Sequence, residues 1–69
     1  MGQIFKIMSK IVENVISSKD EGYDYYGSVV VTVRDTETGE VQIGHADYSP
    51  SKSEAEATAE AIKSASDNF

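Results

Sequence analysis

The sequence predicts a small α+β domain of order αββα, in which an antiparallel hairpin is covered on one face by two helices. Three observations lead there. Apolar residues recur at helical spacing over residues 3–19, period-two alternation flanks the stretch "DTETGE", and an alanine-rich segment with helix-start signals follows Pro50. The 69 residues leave room for one core only, so the whole chain, 1–69, reads as a single domain.

The first element is expected over about residues 3–19. Ile4, Phe5, Ile7, Met8, Ile11, Val12, Val15 and Ile16 alternate with Gln3, Lys6, Ser9, Lys10, Glu13, Asn14 and Ser17 in the manner of a helix. At about 100° per residue the apolar positions cover roughly half the circumference. β-branched residues lower the intrinsic helix propensity, so such a helix needs tertiary contacts. Asp20-Glu21-Gly22 then ends it. One hairpin and an alanine-rich helix cannot cover so wide an apolar face. The chain is therefore expected to self-associate as a homodimer through Ile4, Ile7, Met8, Ile11 and Val15.

Two strands follow, at about residues 25–35 and 40–48. Tyr25, Gly27, Val29, Val31 and Val33 form the inward row of the first, and Tyr26, Ser28, Val30, Thr32 and Arg34 the outward row. A three-residue turn, Glu37-Thr38-Gly39, would bring Val33 opposite Ile43 and align the apolar rows, with Gly39 in the left-handed region. That register carries Asp47 toward the core, which is costly. A bulge near Gly44-His45 is expected to correct it and return Ala46 and Tyr48 inward.

The last helix is expected over about residues 51–66. Ser51-Lys52-Ser53-Glu54 fits a capping box, and Ser49 before Pro50 offers an alternative cap. Its apolar stripe reads Ala55, Ala59, Ile62, Ala65 and Phe69.

Composition narrows the function. There is no cysteine, which excludes disulfides and thiolate metal sites and suits a reducing cytoplasm. The net charge of −6 is unevenly placed: residues 1–19 carry a local +2, and residues 20–49 carry seven acids against Arg34. An acidic middle repels phosphate backbones, so direct nucleic-acid binding is not expected. No apolar run is long enough to span a membrane, and lysines interrupt the N-terminal stretch where a signal core would lie.

No constellation of residues points to catalysis, to a cofactor or to a metal. His45 and Asp47 would share a strand face but have no third oriented group. The acids at Asp35, Glu37 and Glu40 lack calcium-loop spacing, and the glycines are too dispersed for a phosphate loop. What remains is "EGYDYYG", residues 21–27. Tyr25 is expected in the core and Tyr26 outside it. Tyr23, Asp24, Tyr26, Val30 and Asp47 then form an aromatic, acidic partner surface suited to a basic protein.

The stretch "PSKSEAEATAEAIKSA" resembles the opening of the last helix in double-stranded RNA-binding domains, where it follows a hairpin. That likeness implies a similar topology and, as a third reading of function, nucleic-acid binding. In that family lysines at this helix meet phosphates; here Lys52 stands alone beside Glu54 and Glu56. In size, acidity and lack of cysteine the chain is also similar to small virus-encoded proteins that block host enzymes. By that analogy it would act in the host cytoplasm. The expected function is therefore a non-catalytic protein-binding module, an inhibitor or modulator. The second reading is an assembly role through the first helix.

Overall fold

The computed structural model describes residues 9–69. They form three strands and one helix: β1 (Lys10–Lys19), β2 (Gly27–Asp35), β3 (Val41–Tyr48) and α1 (Glu54–Asp67), in an antiparallel sheet of order β1-β2-β3. This β-β-β-α order overturns the expected αββα domain. Residues 10–19 are strand rather than helix, and the expected helix's residues 3–8 lie outside the described residues. The assignment to self-association splits accordingly. Ile4, Ile7 and Met8 lie outside the described residues, while Ile11 and Val15 sit on β1.

β1 pairs with β2 from Lys10 opposite Asp35 to Lys19 opposite Gly27, with a register shift between Val12 and Asn14. Glu13 is the extra residue of a β-bulge. Val12 opposite Val33 and Val15 opposite Val31 therefore share the helix-facing side, although they are three apart. Ile11 opposite Arg34 and Ile16 opposite Val30 share the other. Ile11 and Val15 thus belong to opposite faces and cannot form one stripe.

The β2–β3 hairpin departs from expectation by one residue. Asp35 N–H donates to the Glu40 carbonyl at 2.8 Å, so the loop is residues 36–39 rather than Glu37-Thr38-Gly39. The cause is local: Asp35 Oδ1 accepts from the backbone N–H of Glu37 at 2.8 Å and of Thr38 at 3.4 Å. This side-chain turn makes Asp35 the last ladder residue of β2. Those N–H groups, that of Glu37 first, hold the Asp35 carboxyl below its ordinary range, and Lys10 at 3.8 Å adds to the effect. Gly39 has φ +79°, as the turn requires.

The corrected register sets Val33 opposite Gln42 and Val31 opposite Gly44, and the ladder is continuous to Gly27 opposite Tyr48. Gly44, Ala46 and Tyr48 face the helix without the bulge expected at Gly44-His45. Ile43 moves to the open face, where it is 59% exposed.

α1 starts three residues later than expected. Ser49 and Lys52 pair as an isolated bridge around a tight turn at Pro50-Ser51, so the helix begins only after Ser53. The capping box is then Ser53 with Glu56, not Ser51 with Glu54: the Glu56 N–H donates to Ser53 Oγ at 3.1 Å, and the Ser53 N–H to Glu56 Oε1 at 3.3 Å. The frame this sets buries Ala57, Ala61 and Ala65, one per turn, against Val29, Val31, Val33 and Ala46. Of the expected stripe only Ala65 is in the core; Ile62 and Phe69 flank it, and Ala55 and Ala59 are exposed.

Among the described residues the core is thin, with no fully buried side chain larger than valine. α1 packs over β2 and β3 and meets β1 at both ends, through Glu54 with the Ser17 hydroxyl and Phe69 with Lys10, whose Nζ lies 5.1 Å from the ring centroid. The sheet's other face has no element over it among the described residues. It exposes Ile11, Ile16, Val41 and Ile43 around a half-buried Val30.

Candidate protein-binding loop

The connection between β1 and β2, residues 20–26, is built by two backbone hydrogen bonds. Asp20 N–H donates to the Tyr26 carbonyl at 2.8 Å and closes the loop; Tyr23 N–H donates to the Asp20 carbonyl at 3.2 Å and makes a tight turn. Gly22, at φ +83°, occupies the third position of that turn, as in type II geometry. With the ladder ending at Lys19 opposite Gly27, no tyrosine of this stretch continues a strand row.

Tyr25 is consequently not a core residue. It is 71% exposed, Tyr23 is 62% and Tyr26 44%, so the expected division between an inward Tyr25 and an outward Tyr26 is overturned. The inward row stops at Gly27, and Tyr48 supplies the aromatic ring at that end of the core, its hydroxyl donating to the Ser18 carbonyl at 3.4 Å.

Two open clefts of about 320 Å³ flank the loop. Asp20, Tyr23 and Tyr26 line the first; the rings are 5.8 Å apart between centroids and inclined at 81°. The second is bordered by Asp24 and Tyr25 of the loop, by Lys19 and Tyr48 at the strand ends, and by Ser53 and Glu54 where α1 begins. Of the residues expected at a partner surface, Tyr23, Asp24 and Tyr26 thus gather in one loop. Asp47 sits on the sheet row next to it, opposite Ser28, whereas Val30 belongs to the middle of the open face.

Sequence reasoning missed Asp20, Tyr25, Tyr48 and Glu54. Tyr48 could have been found only from the register of the four-residue loop, which places it opposite Gly27 beside the β1–β2 connection. Glu54 joins only through the packing of α1.

Several polar groups pair away from the loop. Arg34 Nε donates to Glu13 Oε2 at 2.6 Å and Nη2 to Oε1 at 3.1 Å; this forked hydrogen bond lowers the Glu13 pKa and raises that of Arg34. Lys52 donates to Glu60, which raises the lysine's pKa. His45 Nε2 lies 3.3 Å from Asp47 Oδ1, both on the exposed side of β3. Among the described residues no three His, Asp or Glu side chains gather in a way that could hold a metal ion, and no helix is long and apolar enough to cross a membrane. No protein-family model, curated protein or solved structure matches the chain.

Proposed function

We propose that the protein is a non-catalytic binding module that engages a basic surface of a larger protein through the β1–β2 loop and thereby modulates it. The observation that carries this reading is the loop's content: three exposed tyrosines and the acids Asp20, Glu21 and Asp24 on seven successive residues, 20–26. Tyrosine contributes a large contact area at low entropic cost and is enriched at binding hot spots. The acids favour a positively charged partner and speed its approach. A phosphate backbone suits the surface poorly. Lys52 is held by Glu60, and the first turn of α1 presents Glu54 and Glu56.

Affinity capture tests the reading. Immobilised wild type should retain basic proteins at low ionic strength and release them at high salt. Y25A with D24K should lose them while keeping its fold. Identical retention by wild type and variant would overturn the proposal.

One observation favours a second reading, self-association. The sheet face that no described element covers exposes four large aliphatic side chains; its Glu13 and Arg34 charges are paired with each other, and its Asp47 lies 3.3 Å from His45. On a chain of net charge −6, this is where a second copy meets little repulsion.

A further inference from the structure

Resting on the loop reading, we infer that the cleft of Tyr23, Tyr26 and Asp20 is a seat for the ammonium group of a lysine side chain presented by the partner. Two tyrosine rings inclined at 81°, with centroids 5.8 Å apart, form two walls of a corner, and Asp20 lines the same cleft. A cation placed over an aromatic face is held by the ring's quadrupole, and a neighbouring carboxylate adds Coulomb attraction. Among the described residues no lysine or arginine forms an ion pair with Asp20, so none of them holds its carboxylate.

The geometry selects among cations. A guanidinium is a flat plate that stacks along one ring and takes a carboxylate side-on. Perpendicular walls offer it one face to stack on and meet it only edge-on at the other. A compact, roughly spherical ammonium touches both walls at once, and its methylated forms fill the corner more fully.

The loop holds this corner in place with backbone bonds. The Asp20 N–H and carbonyl bind Tyr26 and Tyr23 respectively, so the residues that line the cleft are also those that close the loop. Neither tyrosine belongs to the core cluster, so replacing either ring should leave the sheet and helix intact.

The test is an NMR titration of the intact chain with the N-acetyl amides of lysine, trimethyllysine, arginine and norleucine. Lysine and trimethyllysine amides should shift the Tyr23 and Tyr26 ring resonances saturably in the millimolar range, with the arginine amide weaker and norleucine, the uncharged control, without effect. Y23A, Y26A and D20N should each weaken lysine binding by roughly two- to fivefold, the range expected of one exposed cation–π or charge contact. Equal shifts from norleucine, tighter binding of arginine, or unchanged affinity in the three variants would overturn the inference. If the amides fail while D24K with Y25A still releases a basic protein, the seat falls and the loop reading stands. If the amides bind but no basic protein is retained, the reverse holds.

Discussion

Gly44 on β3 faces Ala61 on α1 so closely that a Cβ at Gly44 would overlap the Ala61 carbonyl and stand 2.7 Å from the Ala65 nitrogen. The obstructing atoms are main chain and cannot rotate aside. G44A should therefore push the helix off the sheet and destabilise by about 3 kcal/mol or more, the upper range of overpacking effects. In a core of valine and alanine that should unfold the domain. Circular dichroism melts of G44A against wild type decide it, and an unchanged melting temperature would show that α1 sits higher on the sheet.

Gly39 closes the β2–β3 loop at φ +79°, and no atom lies within 4 Å of the point where a Cβ would stand, so only backbone conformation opposes a side chain there. G39V should cost about 1 kcal/mol or more, since a β-branched residue resists the left-handed region. G39N should cost less. Equal melting temperatures for the two variants would contradict this account.

Asp35 links stability to pH. Its carboxyl titrates below its ordinary value in the folded chain, so the ionised form favours folding. That contribution is complete above the unfolded aspartate value of about 3.9 and is lost as pH falls through the lowered folded value. Melting temperatures across the acid range should fall faster for wild type than for D35N, and the gap between them should close at the lowest pH. Parallel curves would show that the loop N–H groups do not select the charged form.

The open sheet face should bring two copies together. Three strands at their usual spacing present a footprint of roughly 14 by 27 Å, small for a stable interface, so micromolar association is expected. Sedimentation should give a wild-type dimer, with I43K monomeric and still folded. A wild type that stays monomeric would refute the self-association reading.

Half of this architecture was legible in the sequence. Val29, Val31 and Val33 announced the inward row of β2, Gly39 announced the turn, and Ser and Glu near residue 53 announced a capped helix. β1 was not legible, because the bulge at Glu13 disguises it. The pairs Ile11-Val12 and Val15-Ile16 repeat four residues apart, which is helical spacing; a strand divides each pair between two faces, and the inserted residue joins Val12 to Val15 and Ile11 to Ile16 where regular alternation would join Ile11 to Val15. Absence of alanine and leucine and the abundance of β-branched residues were the available counter-signal. The tyrosine loop was legible as an aromatic, acidic stretch. Which rings are exposed depended on the Asp20–Tyr26 hydrogen bond, and no sequence pattern shows where a ladder stops.

The Glu13 bulge has a further consequence, for behaviour at high concentration. Among the described residues β1 is an edge strand, ten residues long and rich in isoleucine and valine, the sort of segment that recruits identical chains into fibres. An extra residue in its middle breaks the even spacing that a stacked, in-register array requires, and Lys10 and Lys19 place repelling charges at either end. Deleting Glu13 would straighten the strand without moving Val12, Val15, Ile11 or Ile16 to the wrong side, although Arg34 would lose its carboxylate. The shortened chain should keep its fold when dilute and grow thioflavin-positive filaments when concentrated, so one surplus residue separates a dispersed protein from a polymerising one.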